Sequence, residues 1–289
     1  MDFGLALASQ EITATIESPE TGGWGLSVAE PDYDRALEVI QLYRSENRGW
    51  PWQRRVLRRG PLFDWGSLAW IFLTILFFEL QQRNPALEAA GVMDSAAVSQ
   101  GQWWRLFTAI CLHADTSHLA ANAAVGLVVL GLTMGGYGTG VGLFAAFIAG
   151  AGGNVLTWLV HSAGHRSLGA SGMVTGCIGL LATLSLSLVL RKRKPGSRAS
   201  GNDSLRRKTD LRLLTSSLVA GVMLFVFLGL SPGTDVAAHF GGFVTGTLLG
   251  TLLTWAPGLT RITAANVIAG TIFCALVVAT WLKALAGSR

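Results

Sequence analysis

Three short segments of the sequence place polar, chemically competent side chains inside apolar runs. Ser171 lies in a Gly-x-Ser-Gly motif, and a serine hydroxyl becomes a nucleophile when a base removes its proton. His239 lies in a second segment, and neutral imidazole is a base suited to that task near neutral pH. The third segment pairs His118 with Asn122, whose i, i+4 spacing puts both on one helical face. Together these residue types fit acyl transfer by a Ser-His dyad, with side-chain donors for an oxyanion.

Each segment also has a purely structural interpretation. Ser171 fits the N-cap of a helix, and His118 with Asn122 fits a polar clasp between two helices. The glycines that follow His239 at four-residue spacing fit close helix packing beside an incidental histidine. The segments taken singly therefore leave both interpretations open.

The elements that must position these groups are apolar helices. Of the 289 residues, 51% are hydrophobic and 13% are charged, against about 25% charged residues in an average soluble domain. This composition excludes a disordered chain and disfavours a purely soluble globule. We predict seven membrane-spanning helices of 18 to 24 residues, at 64–82, 117–135, 139–162, 171–190, 213–230, 235–256 and 262–284.

The basic residues predict the orientation of these spans. Four arginines precede the first span, and the loop 191–212 carries nine Lys and Arg against two Asp. The positive-inside rule puts both segments in the cytoplasm, so the N-terminus is inside and the C-terminus outside the cell (inner) membrane. The serine, all five histidines and Asn122 then share the outer half. This joint placement favours the chemical interpretation over the structural one. It favours a Ser-His dyad over a triad, because Asp235 is the only carboxylate near that depth.

The tryptophans and the chain ends give further expectations. Trp103, Trp104, Trp158 and Trp281 fall at outer span ends, where we expect an interfacial aromatic belt. Residues 1–48 have a net charge of −6 and predict a small soluble cytosolic αββα domain, followed by a linker at 49–62. Residues 63–256 form the predicted six-helix core, and residues 257–289 an extra C-terminal membrane helix.

Partners follow from the same composition. The basic residues lie beside apolar runs, which favours a lipid bilayer over nucleic acid as their partner. The three cysteines lack the spacing of metal ligands, and we expect neither a metal nor another cofactor.

The chain resembles the rhomboid intramembrane serine proteases across about residues 64–256. The motifs that carry the resemblance are, in order, Trp104-Arg105, His113, His118-x-x-x-Asn122, Gly169-x-Ser171-Gly172 and Ala238-His239-x-x-Gly242-x-x-x-Gly246. The resemblance implies an all-α polytopic bundle in which Ser171 is the nucleophile and His239 the general base. It implies an oxyanion hole formed by His118, Asn122 and the Ser171 backbone N–H. Thr175 stands where family members often carry an aromatic residue.

By the same resemblance, the expected activity is hydrolysis of peptide bonds in or near transmembrane helices of single-span membrane proteins. The fifth span and residues 231–235 would form a lateral gate. The alternative is a catalytically inactive rhomboid-like protein that binds transmembrane clients, although such proteins usually lack the serine or the histidine. A rhodopsin-like or transporter-type protein is disfavoured, because the spans contain no buried cofactor lysine and no repeated halves.

Overall fold

The computed structural model describes residues 2–17, 25–46, 63–161, 164–191 and 235–287. The chain divides into two compact units, residues 1–60 and 61–289. The predicted linker, the fifth span, most of the basic loop and most of the predicted gate lie outside the described residues.

The N-terminal unit combines two helices with a two-stranded antiparallel sheet. Its elements are α1 (Asp2–Ala8), β1 (Ala14–Glu17), β2 (Gly25–Val28) and α2 (Tyr33–Glu46). In the sheet, Ala14 pairs with Val28 and Glu17 with Gly25. A small apolar core of Leu7, Ile12 and Ala36 holds the helices on the sheet.

The second unit is a helical bundle with one small sheet. Its described elements, in chain order, are α3 (Gly66–Arg83), α4 (Pro85–Gly91), β3 (Met93–Asp94), α5 (Ser95–Ser99), α6 (Arg105–Thr108), α7 (Thr116–Tyr137), α8 (Thr139–Val160), β4 (Arg166–Ser167), α9 (Ser171–Arg191), α10 (Val236–Trp255) and α11 (Thr263–Gly287). Short 3₁₀ turns lie at Ala109–Cys111 and Leu259–Arg261. The strands β3 and β4 pair antiparallel.

Four of these helices, α7, α8, α10 and α11, are long and apolar enough to cross a membrane. The bounds of these four helices lie within a few residues of those of four predicted spans. The bounds of α3 and α9 agree equally well with the first and fourth predicted spans. The apolar part of α9 covers Ser171–Ser187. The chain is therefore a multi-pass membrane protein, while the total of seven spans stays a prediction because the fifth lies outside the described residues.

Helices α8, α9 and α10 meet at the centre of the unit. The main buried core of the unit includes Tyr137 of α7, Phe147 of α8, and Met173 and Leu180 of α9. The segment between α3 and α7 is folded rather than a simple loop, because α4, β3, α5 and α6 give it regular structure. A second buried cluster lies beneath this segment and joins it to α11 through Trp104 and Trp281.

The expectation of an outer tryptophan belt is wrong for two of its four members. Trp104 is 7% exposed and Trp281 is 8% exposed, so both are buried inside the protein rather than facing lipid. Each ring packs in the cluster with Leu112 and Ala284, because α11 packs against the outer segment and covers both rings. Trp103 is 48% exposed and remains compatible with an interfacial role.

Candidate active site

Ser171 is the first residue of α9 and is half-buried. The turn before it needs Gly169, whose φ of +130° is a backbone conformation that other residues rarely adopt. The backbone N–H of Gly169 donates to the carbonyl oxygen of Ala109 at 2.9 Å, which ties the turn to the outer segment. The first N–H groups of a helix have no partner within it, so the Ser171 N–H is aimed outward from α9.

His118 and Asn122 converge on this same turn from α7. A Cβ added to Gly169 would lie 2.8 Å from His118 Nε2 and 3.7 Å from Asn122 Nδ2. Asn122 is 6% exposed, and its Nδ2 is a buried donor with no hydrogen-bond partner among the residues that the structure describes. A buried, unpaired amide donor is unfavourable unless another group binds to it. The structure thus brings the polar pair to the Gly-x-Ser-Gly turn.

His239 lies one turn into α10 and is 3% exposed. The start of α10 lies against the start of α9, because a Cβ on Gly172 would be 3.4 Å from the carbonyl oxygen of Ala238. Ser171 directly precedes Gly172 in the chain, and His239 directly follows Ala238. The contact between these two helix starts therefore brings the helix turns of Ser171 and His239 next to each other.

The glycine motif of α10 packs directly on the backbone of α9. A Cβ on Gly242 would stand 2.1 Å from the carbonyl oxygen of Gly172, and a Cβ on Gly246 would stand 2.1 Å from that of Gly176. Thr175 points toward this seam, and its hydroxyl donates back to the Gly172 carbonyl oxygen at 3.0 Å. The residue that replaces the family's aromatic side chain therefore bonds to its own helix.

Asp235 acts as the N-cap of α10 rather than as an evident third member of a triad. Its Oδ1 accepts the Ala238 N–H at 2.9 Å, and its Oδ2 accepts the Thr157 hydroxyl at 2.8 Å. The same Oδ2 lies 3.4 Å from His165 Nε2. Its described contacts are thus with the start of α10, with Thr157 near the end of α8 and with His165 in the loop before β4.

His113 is fully buried next to His118, with 5.4 Å between the ring centroids. The side chain of Gln81 holds the His113 backbone at two points: Nε2 donates to its carbonyl oxygen at 2.8 Å, and Oε1 accepts its N–H at 3.1 Å. Burial, with a smaller contribution from His118, lowers the pKa of His113 to about 4. His113 is therefore neutral at physiological pH.

Trp104 and Arg105 hold the outer segment together. The guanidinium of Arg105 donates to the carbonyl oxygens of Ala89 at 3.0 Å and Val92 at 2.7 Å, which satisfies backbone groups at the end of α4. Its Nε donates to Gln102 at 2.7 Å. The Trp104-Arg105 pair therefore organises the outer segment from within.

One cluster near the site was missed by the sequence analysis. His161, His165 and Asp235 each offer a ligand atom, and these atoms all lie within 4.8 Å of one another. The four-residue spacing of His161 and His165 in the sequence could have indicated this pair of histidines. Asp235 comes near them only in the folded protein.

Comparison with known proteins agrees with the site's motifs. A family model for the rhomboid domain matches residues 100–256, which is more than half of the chain and contains every motif named above. The chain therefore belongs to the rhomboid family, which confirms the resemblance inferred from the sequence.

Several curated proteins are similar to this chain. Rhomboid protease GluP of Bacillus subtilis (strain 168) is 29% identical over 187 residues, which make up 61% of this chain and 32% of that protein. RHOMBOID-like protein 1 of Arabidopsis thaliana is 33% identical over 190 residues, 62% of this chain and 44% of that protein. Rhomboid protease AarA of Providencia stuartii is 25% identical over 204 residues, 63% of this chain and 69% of that protein. The chain thus spans less than half the length of the first two relatives.

Proposed function

We propose that this protein is an intramembrane serine endopeptidase that cleaves transmembrane substrates with a Ser171-His239 dyad. The observation that carries the proposal is the seam between α9 and α10, where a Cβ on Gly172 would lie 3.4 Å from the Ala238 carbonyl oxygen. That contact brings the helix turns of the serine and the histidine together. Membership of a family that includes named proteases supports the same activity.

The first chemical step is attack on a substrate carbonyl. His239 takes the proton of the Ser171 hydroxyl while Oγ bonds to the carbonyl carbon, and the protonated imidazole then returns that proton to the leaving amine. In the second step His239 removes a proton from water as the water oxygen bonds to the acyl carbon. The imidazolium then gives that proton to Ser171 Oγ as the acyl–oxygen bond breaks, which releases the new carboxyl end and restores the free serine. Because no carboxylate of the described site is assigned to orient the imidazole, helix packing supplies that orientation.

The oxyanion that forms in both steps needs donors that are already in place. Asn122 Nδ2 supports this role because it is buried near Gly169 and no described residue accepts a hydrogen bond from it. His118 Nε2 and the Ser171 backbone N–H complete the proposed set. Each such donor typically lowers the barrier by about 2.7–4 kcal/mol.

The substrate class follows from backbone chemistry. A transmembrane helix has its backbone groups bonded internally, so a scissile bond must leave the helix before a serine can reach it. We expect single-span substrates with helix-weakening residues near the outer interface. The proposed orientation has the N-terminus in the cytoplasm and the site toward the outer face of the cell (inner) membrane.

The direct test is labelling of the full-length protein in detergent with a serine-reactive fluorophosphonate, beside cleavage of a model transmembrane substrate. Ser171→Ala and His239→Ala should each abolish both signals. The matched control is Ser187→Ala on the same helix, about 24 Å further along at 1.5 Å per residue. Its hydroxyl donates to the Leu184 carbonyl oxygen of that helix at 2.8 Å. Labelling and cleavage that survive in Ser171→Ala would overturn the assignment of Ser171 as the nucleophile. Absence of both signals in the wild-type protein would overturn the protease proposal and favour a non-catalytic, client-binding rhomboid-like protein.

A further inference from the structure

A cluster of two histidines and one aspartate lies just outside the proposed dyad. His161 follows the last residue of α8, His165 precedes β4, and Asp235 caps α10. The two imidazole rings stack with centroids 4.0 Å apart and 16° between their planes. Three separate chain segments thus direct ligand-type atoms to one small region, where each of the three side chains is partly exposed.

The hydrogen bonds around the cluster leave the ligand atoms available. His161 Nδ1 lies 3.2 Å from the carbonyl oxygen of Thr157, which can only accept, so the proton is on Nδ1 and the lone pair is on Nε2. This arrangement, in which a carbonyl oxygen fixes the tautomer, is typical of metal-binding histidines. The Thr157 hydroxyl similarly donates to Asp235 Oδ2 and orients that carboxylate.

The distances also suit a metal ion. His165 Nε2 and Asp235 Oδ2 are 3.4 Å apart, which is long for a hydrogen bond. Bonds of about 2.1 Å at tetrahedral angles separate two zinc ligands by about 3.4 Å. All three ligand atoms lie within 4.8 Å of one another, and the stacked rings must turn about their Cβ–Cγ bonds for both nitrogen lone pairs to face one ion.

We propose that His161, His165 and Asp235 form a Zn²⁺ site with three protein ligands and one position open to water. Two imidazoles and a carboxylate suit zinc, whereas Mg²⁺ and Ca²⁺ prefer oxygen ligands alone. The inference goes beyond the proposed protease activity and does not depend on it.

A bound ion would link the end of α8 to the start of α10. The Asp235 carbonyl oxygen accepts the His239 backbone N–H at 3.1 Å, and its carboxylate caps Ala238. Zinc would therefore restrain the helix turn that carries His239. The consequence is a metal-dependent gain in stability of the bundle, measurable in the Ser171→Ala protein.

The experiment uses the full-length, metal-stripped Ser171→Ala protein without an added histidine tag. Zn²⁺ binding is measured by competition with a chromophoric chelator in the presence of excess Mg²⁺. We expect one Zn²⁺ per chain and a midpoint of thermal unfolding that rises by about 5 °C at a hundredfold excess over Kd. His165→Ala and Asp235→Asn should each weaken the affinity at least about tenfold. Asparagine keeps an oxygen to cap α10, so a folded variant is available.

The matched control is Arg166→Ala, which changes the exposed neighbour of His165 and should bind Zn²⁺ as the parent does. The proposal is overturned if the parent binds no stoichiometric zinc or if His165→Ala binds as tightly as the parent. It is also overturned if His118→Ala removes the bound ion while His165→Ala keeps it. Because the parent lacks the proposed nucleophile, none of these results bears on the protease proposal.

Discussion

Gly242 of α10 lies directly on the carbonyl oxygen of Gly172 in α9, so that a Cβ at position 242 would stand 2.1 Å from that oxygen. The contact repeats one turn later between Gly246 and Gly176, also at 2.1 Å. Two helix backbones in direct contact leave little freedom for relative sliding or rotation. The packing therefore determines where the neighbouring Ser171 and His239 stand with respect to each other.

A methyl group at position 242 should separate the two helices. Gly242→Ala is expected to reduce the free energy of unfolding by about 1–3 kcal/mol, because backbone atoms rather than a flexible side chain oppose the new Cβ. Fluorophosphonate labelling of Ser171 should fall with it. Thermal unfolding in detergent and the rate of labelling measure the two effects.

Two other glycines serve as controls for this substitution. Gly172→Ala places its methyl group at an ordinary contact distance of 3.4 Å and should cost less than Gly242→Ala. Gly258→Ala faces open space, with no heavy atom within 4 Å, and should change stability by no more than about 0.5 kcal/mol. Equal losses for positions 242 and 258 would contradict the close-packing argument.

Asn122→Ala should impair turnover far more than folding. The Nδ2 of Asn122 has no hydrogen-bond partner in the described part of the chain, so its removal sacrifices none of the described hydrogen bonds. Loss of an oxyanion donor should lower kcat by about 10²–10³ with little change in KM. Steady-state cleavage of a model transmembrane substrate measures both constants.

The matched comparison is Asn154→Ala. Asn154 Nδ2 donates to the Leu106 carbonyl oxygen at 2.7 Å, so this variant should lose about 1 kcal/mol of stability. A variant at position 122 that keeps wild-type kcat would exclude Asn122 from the oxyanion hole.

The buried His113 predicts a loss of stability in acid. Its pKa is about 4 in the folded protein, against an ordinary value of 6.5, so below pH 6.5 the unfolded chain binds more protons than the folded one. Stability should fall as the pH drops from 6.5 to 4, by about 3 kcal/mol from this group, and the loss should be complete below pH 4. Unfolding followed at pH 7.5 and pH 4.5 measures the decrease.

His113→Gln isolates this contribution from that of other acid-sensitive groups. Glutamine does not titrate, so the difference in stability between the two pH values should be smaller than in the parent. An identical pH dependence in both proteins would show that His113 is not the group responsible.

Gln81→Ala should destabilise the outer segment. The substitution leaves the N–H and carbonyl oxygen of His113 without their Gln81 partners in a buried position, at an expected cost of about 2 kcal/mol. Gln82→Ala, at the exposed next position, should leave unfolding unchanged. Thermal unfolding of the two variants under the same conditions compares them; matching midpoints would refute a structural role for the Gln81 clasp.

The sequence alone determined the long apolar helices that the structure describes, the segments that carry polar chemistry and the family. Long apolar runs must be helical in lipid, since each backbone group needs a partner within its own segment. The i, i+4 pair His118 and Asn122 is likewise a local pattern that the chain specifies by itself.

Tertiary structure decided what depends on contacts between distant segments. The span-end positions of Trp104 and Trp281 predicted an interfacial belt, yet both rings are buried because α11 packs against the outer segment. Asp235 likewise meets His161 and His165 only in the folded protein. It lies 70 positions after His165 in the chain. Periodicity and composition report only on near neighbours along the chain, whereas these arrangements arise from the way the helices pack.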